Sequence, residues 1–335
     1  MISRTSRALL MAATLAGNLV GTGMATAADK VVYQLDWLPG GDKAPVYVGI
    51  QEGYFTDEDI EVSIASGRGS TDAVTKMATG QSDIGSADIG ALMAARAQDD
   101  VPVSAVYALF TQAPHAFFTL ADSDIETITD IEGKRVATSP FTSSNAFLPL
   151  VLKENDMPAD AVTLTKSDPG ALGPMLITGN TDAIIAWVTN VALFKSQAAE
   201  AGKDIRVLPW SEAGLELYSS SIVAADKFLE ERPEVARRFL KAFAKAVAFT
   251  RDNPEKAGEH LHAMVPEVDP DVAAGQIRDT MELIFNDVTE KDGVGVFTPE
   301  RIKKTWAYVS EANELPEDAL DPETAVKRGF IPESK

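Results

Sequence analysis

The chain has 335 residues, 45% of them hydrophobic, and carries 30 Lys and Arg against 50 Asp and Glu, a formal net charge of −20, with no cysteine. So acidic a chain is a poor partner for nucleic acid or anionic lipid surfaces. The missing thiol excludes disulfides, thiolate metal sites, a cysteine nucleophile and a lipidated cysteine at the N-terminus.

Arg4 and Arg7 precede an apolar run from Ala8 to Val20, and Ala25-Thr-Ala27 supplies the small residues of a cleavage site. Residues 1–27 therefore read as a secretory signal peptide cut after Ala27, and the run is short for a transmembrane helix. Export without a lipid anchor points to the periplasm. The remainder exceeds one typical domain and suits two.

Lys30 to Leu35 alternates as a strand and runs into Asp36-Trp37-Leu38-Pro39-Gly40-Gly41. Chemistry alone allows Trp37 either to pack under this turn or to face a cleft. Ala44 to Gly53 is expected as a helix, followed by Tyr54-Phe55 and a second strand, Ile60 to Ile64. Then comes ASGRGSTDAVTKMATGQSDIGSADIG, from Ala65 to Gly90. It reads as a strand end, a glycine loop, a helix from Ala73 to Thr79 capped by Ser70, Thr71 and Asp72, a stop at Gly80, and a short strand. A helix start beside a strand end is a place where α/β proteins hold small ligands. Arg68 is read either as a solvated turn residue or as a bidentate contact to an acidic ligand group. Asp36 and Asp88 either cap loops or accept from a ligand amino group.

The phrase at Thr79-Gly80-Gln-Ser-Asp83 returns as Thr178-Gly179-Asn-Thr-Asp182, each followed by an apolar strand. This echo predicts two similar α/β lobes facing each other across a cleft.

On these residues the chain resembles a known family. LDWLPGGDKAPVYVGIQEGYFTDEDIEVSI, the later G-x-x-D corners, the Gly133-Lys-Arg-Val-Ala137 segment and the C-terminal helical region are similar to the SsuA/THI5-like (NMT1) solute-binding proteins over residues 29–330. The resemblance implies a type II periplasmic-binding fold, in which two α/β lobes are joined by hinge strands with a ligand cleft between them. It also implies a non-enzymatic role, delivering a small solute to an ABC permease in the inner membrane. Solutes of the family include sulfonates, taurine, nitrate-like anions and pyrimidine precursors of thiamine. The thiamine-pyrimidine synthases that resemble this family carry a cysteine-rich motif and a cofactor lysine, and this chain has no cysteine. At Gly40-Gly-Asp-Lys-Ala44 it also departs from the Asn/His-containing segment that pyrimidine binders tend to carry.

Further along, Val101 to Leu109 and Ala116 to Leu120 are β-rich runs between which the chain would cross to lobe two. Lys134 to Thr138 is a strand, and Ser143, Ser144 and Asn145 stand at the start of a helix from Ala146 to Glu154 as a hydrogen-bonding shelf. Ala183 to Trp187 is a buried strand ending at Trp187 and Asn190, with Trp187 the lobe-two counterpart of Trp37. Glu216 to Ala224 returns the chain, with Tyr218 at a hinge or in the cleft. Asp226 to Arg251 is one helical segment, and further helices follow to about Asn313. The lobes are then 28–112 with 221–335, and 113–220. His260 and His262 stand two apart, pointing different ways on a helix, and are not read as metal ligands.

No serine elbow, zinc helix or phosphate loop is present. The reading is a monomeric binder with no cofactor and no metal. Its ligand is a heteroaromatic such as a thiamine pyrimidine precursor, or else an alkyl sulfonate. A synthase-like enzyme and a feeder of a sensor kinase are the alternatives.

Overall fold

The computed structural model describes residues 27–213, 215 and 217–331, so the signal-peptide reading of residues 1–26 and Glu216 of the return crossing lie outside the described residues. The strands in chain order are β1 (Asp29–Gln34), β2 (Ile60–Ala65), β3 (Ile84–Asp88), β4 (Val103–Ala108), β5 (His115–Leu120), β6 (Arg135–Thr138), β7 (Thr163–Lys166), β8 (Ala183–Trp187), β9 (Ile205–Pro209) and β10 (Ser220–Ala225). They form two five-stranded sheets, ordered β2-β1-β3-β10-β4 and β7-β6-β8-β5-β9.

The two orders are one pattern used twice. In each sheet three parallel strands are followed by one strand antiparallel to them and by an edge strand antiparallel to that one. After edge strand β4 the chain leaves the first sheet and inserts β5 into the second; after edge strand β9 it returns to insert β10 into the first. β8, expected to be parallel, is parallel to β6 and antiparallel to β5, because β5 has come across from the other lobe.

The sequence echo is a geometric one. Gly80 and Gly179 both end their helices with positive φ, 74° and 72°. This is the left-handed conformation that glycine adopts at least cost. Thr79 and Thr178 bond back to the carbonyls of Thr75 and Pro174, at 2.9 and 2.7 Å. Asp83 and Asp182 each accept an amide of the neighbouring strand, Val32 and Arg135, both at 2.8 Å. Each corner thus pins a helix end to a β-strand.

Lobe one carries helices α1 (Ala44–Gln51), α2 (Ser70–Ala78) and α3 (Ile89–Gln98), and lobe two α4 (Ser144–Glu154), α5 (Leu172–Ile177) and α6 (Val191–Glu200). The C-terminal part adds α7 (Asp226–Glu231), α8 (Pro233–Asp252), α9 (Pro254–Met264), α10 (Pro270–Ile284), α11 (Asp287–Asp292) and α12 (Pro299–Ala312). The single helical segment expected over 226–251 is broken into α7 and α8. Pro233 lacks an amide to donate and sits in the first turn of a new helix, while Arg232 takes an extended φ of −134°. Phe239 of α8 stacks on Tyr33 and Phe55, at centroid distances of 5.8 and 4.8 Å, and closes the core of lobe one.

Two C-terminal helices reach across to lobe two. Trp306 and Val309 of α12 share a core with Leu92 of α3 and Phe147 and Val151 of α4. Helix α10 packs on α9, on the turn at Gly41–Lys43 and on α6. Among the described residues no helix is long and apolar enough to cross a membrane.

If the Asp corners hold helix to strand, Asp83→Ala leaves the Val32 amide without its acceptor and should cost about 1–3 kcal/mol in urea unfolding. Asp182→Ala should cost less, because its side chain is more open to solvent. Equal and negligible losses would contradict this.

Candidate functional site

Helix α1 is buried from Ala44 through Gly49 and meets solvent only at its C-terminal end. The charges just before it, Asp42 and Lys43, are carried inward by a tight turn over Gly41–Lys43. That turn is held from outside: the Gly41 amide donates to Gln276 Oε1 of α10 at 2.9 Å. The Lys43 ammonium, with its side chain 3% exposed, ends up 2.5 Å from Asp36 Oδ1 and 2.9 Å from Asp42 Oδ2. It also lies 5.5 Å from the centre of the Trp187 ring, a cation–π contact joining the lobes. Burial alone would lower the Lys43 pKa, but Asp36 and Asp42 more than offset it and hold the ammonium charged. Burial raises the pKa of Asp42, with Lys43 opposing. Two carboxyl groups against one ammonium make the wall rich in hydrogen-bond acceptors.

Asp36 is further held by Ser86 Oγ at 2.8 Å and Ser70 Oγ at 3.4 Å. Ser70 opens α2 but does not cap it. Its hydroxyl instead accepts the Asp88 amide at 3.0 Å, tying β3 to the wall. Asp88 caps α3 through the amides of Gly90 and Ala91 and accepts from Ser219 Oγ at 2.5 Å. Burial pushes its pKa up to about 6 against these bonds, and the Asp36 charge adds to the rise. His115, fully buried at the outgoing crossing, sits with Nε2 3.8 Å from Asp88 Oδ2 and Nδ1 2.9 Å from Ser144 Oγ. Burial drops its pKa to about 3, so it is neutral.

Above this layer lies a small, partly open gap of about 20 Å³ between the lobes, walled by Asp36, Trp37, Asp42, Gly69 and Ser70 from lobe one and Thr142, Ala186, Trp187 and Asn190 from lobe two. The Trp187 side chain is 9% exposed and its indole N–H has no partner among the described residues. The gap continues into a groove of about 420 Å³ that shares Trp37, Asp42 and Asn190 with it. On one side the lobes touch directly. Ser139 Oγ donates to the Arg68 carbonyl at 2.9 Å and the Thr71 amide to the Phe141 carbonyl at 3.2 Å. Gly69 allows this approach, since a Cβ there would lie 2.1 Å from the Phe141 oxygen.

Of the residues singled out from sequence, Asp36, Trp37, Ser70, Trp187 and Asn190 stand in the cavity wall. Asp88 lies buried beneath it. Arg68 points its side chain outward over the Phe141 ring and toward Asp72, and Thr71 is exposed. The expected shelf at the start of α4 faces elsewhere. Ser144 bonds His115, and Asn145 bonds Thr138 Oγ1 and the Ser139 carbonyl. Ser143 is buried, with a hydroxyl that has no partner among the described residues. Tyr218 is also turned away: its hydroxyl donates to the Val296 carbonyl and accepts the Thr298 amide, fixing the return crossing to the C-terminal segment. Asp42, Lys43, Gly69, Thr142 and Ala186 were missed. A charged pair after a double glycine and before a wholly apolar helix is the signal that finds Asp42 and Lys43, since such charges need a polar cavity. His260 and His262 bond Glu52 and the Val268 carbonyl, and the described residues contain no cluster able to hold a metal.

The family model described as NMT1/THI5 like matches residues 41–257. The chain belongs to the NMT1/THI5-like family. It is 21% identical over 90% of its length to the riboflavin-binding protein RibY of Chloroflexus aurantiacus, covering 86% of that protein. It is 25% identical over 69% of each chain to a formylaminopyrimidine-binding protein of Halalkalibacterium halodurans. A 4-amino-5-hydroxymethyl-2-methylpyrimidine phosphate synthase of Legionella pneumophila is 25% identical over 73% of this chain and 77% of its own. Among solved structures, the alkanesulfonate-binding protein SsuA of Xanthomonas axonopodis pv. citri, bound to MOPS, superposes with a TM-score of 0.72 at 16% identity, over 91% of this chain and 99% of that one. The two-lobed periplasmic-binding fold is thus shared with the family's binders.

The buried charges make two predictions. Lys43→Met leaves two buried carboxylates facing each other and should cost about 3–5 kcal/mol at neutral pH, recovering in part on acidification. Asp88 has a folded pKa above its unfolded one, so its contribution to stability is present below pH 4 and is lost as pH rises through about 6. Asp88→Asn removes that loss, and the variant should gain about 2–3 kcal/mol on the wild type between pH 4 and 7 in urea titrations. A stability difference that stays flat with pH would contradict the raised pKa.

Proposed function

We propose that this chain is an extracytoplasmic solute-binding protein that closes on a flat, nitrogen-containing heteroaromatic with an N–H donor edge and presents it to an ABC importer. The observation that carries the reading is the lining where the lobes meet: indoles from both lobes beside the Asp36 and Asp42 carboxyl groups. Trp37 and Trp187 suit a planar ring. Asp36 and Asp42 suit amino or ring N–H donors, and the unpartnered Trp187 N–H suits a ring nitrogen or carbonyl on the same ligand. The names of the riboflavin-binding and formylaminopyrimidine-binding relatives support the same class. The predicted signal peptide and the family's two-lobed fold support the periplasmic importer role.

An alkyl sulfonate is the second reading, supported by the SsuA likeness and by the start of α2, which reaches the cavity at Gly69 and Ser70 without a side-chain cap. Against it, Thr71 has its amide engaged by Phe141, and the one ammonium in the wall is neutralised twice over. An anion would face the Asp36 and Asp42 carboxyl groups, which offer it no donors of their own when ionised.

Enzymatic chemistry of the kind named for the synthase relatives fits the wall poorly. A lysine that attacks carbonyls must be deprotonated, and Lys43 is held protonated by two carboxylates.

A thermal-shift panel tests the reading, with 4-amino-5-hydroxymethyl-2-methylpyrimidine, riboflavin, taurine and simple carboxylates. At about a hundred times its dissociation constant, a heteroaromatic amine should add roughly 2.7 kcal/mol of stability. Trp37→Ala and Trp187→Ala should each abolish most of that shift. A sulfonate hit without a heteroaromatic hit, or tryptophan variants that bind like wild type, would reject the reading.

A further inference from the structure

Helix α10 touches both walls of the cavity from outside it. On the lobe-one side Gln276, 3% exposed, accepts the Gly41 amide at 2.9 Å and so fixes the turn that carries Asp42 and Lys43. On the lobe-two side α6 begins directly after Trp187 and Asn190, and its second residue, Ala192, rests on Gly275. A Cβ at Gly275 would stand 2.9 Å from the Ala192 Cβ, so a larger residue there forces the helices apart. Asp279, one turn further along the same face, bonds the Ala192 amide; burial and Glu282 raise its pKa, and Lys195, Arg278 and that amide oppose the rise. Val272 and Gln276 of α10 and Leu193 and Gln197 of α6 also form part of the groove that leads into the cavity.

We propose that the α10–α6 contact is the latch of the closed cleft, in which Gly275 admits the start of α6, Asp279 holds it, and Gln276 sets the Asp42–Lys43 wall in register with Trp187. These are positioning residues outside the cavity. The latch therefore operates whatever solute is bound, and a wrong solute assignment leaves it standing. Opening on the groove side must part this contact, and closing must re-form it.

A chain without cysteine makes the test clean. Disulfide-bonded Cβ atoms lie about 3.8 Å apart, so a cross-link here parts the helices by only about 1 Å from the built contact, far less than a leucine would. In the full chain carrying Gly275→Cys and Ala192→Cys, mild oxidation should give an intramolecular disulfide. Acrylamide quenching of tryptophan fluorescence should then fall, because Trp37 and Trp187 are sealed in, and return on adding dithiothreitol. A pair that stays reduced, or that closes without changing the quenching, overturns the proposal. As a second variant, Gly275→Leu should unfold cooperatively yet show a larger radius of gyration than wild type in X-ray scattering. A wild-type radius in that variant also overturns it.

Discussion

The site is organised around one buried ammonium. Lys43 lies between Asp36 and Asp42, nearly out of reach of water, and none of the three would be tolerable there alone. Asp36 recruits Ser70 and Ser86, Ser70 takes the Asp88 amide, and Asp88 takes Ser219 on the returning chain. On the far side Lys43 faces the Trp187 ring of the other lobe. A single charge thus orders the wall of lobe one, the floor under it and a contact across the cleft. The arrangement is costly as a source of stability. In the proposed role its use is chemical, because it sets two carboxyl acceptors beside two indoles.

The fold repeats one design twice, and each copy borrows its fourth strand from the chain arriving from the other. This explains why the lobes meet closely at their crossings, where Asp88, His115 and Ser219 gather. It also explains why the C-terminal helices do more than extend lobe one. α12 shares a core with α4 on one side and α10 meets α6 on another, so the relative placement of the lobes is set by elements remote from the cavity in sequence.

Much of this was legible in the residues. The Thr79-Gly80 and Thr178-Gly179 corners are legible because glycine at a helix stop and an aspartate three residues on answer a local demand. Trp37 and Trp187 are legible because each follows a strand end. What was not legible depends on long-range pairing. The serines and asparagine before α4 look like a shelf in sequence, yet His115, Thr138 and Ser139 claim Ser144 and Asn145. Tyr218 looks like a hinge residue facing the cleft, but its hydroxyl is taken by the chain near Val296. Asp42 and Lys43 were not legible as site residues, since the turn that buries them is held by Gln276, far along the chain. The break at Pro233 needed only local chemistry and was missed by weighting apolar spacing above proline.

The central claim is that the carboxylate wall selects the solute. Calorimetric titration of wild type and Asp42→Asn with 4-amino-5-hydroxymethyl-2-methylpyrimidine, riboflavin and taurine tests it most directly. The account predicts that wild type binds a heteroaromatic and not taurine. It also predicts that Asp42→Asn, which keeps the shape and replaces a carboxyl acceptor with an amide that can donate, weakens the heteroaromatic about tenfold while improving taurine. Tighter binding of taurine by the wild-type chain, or a variant with unchanged selectivity, would contradict it.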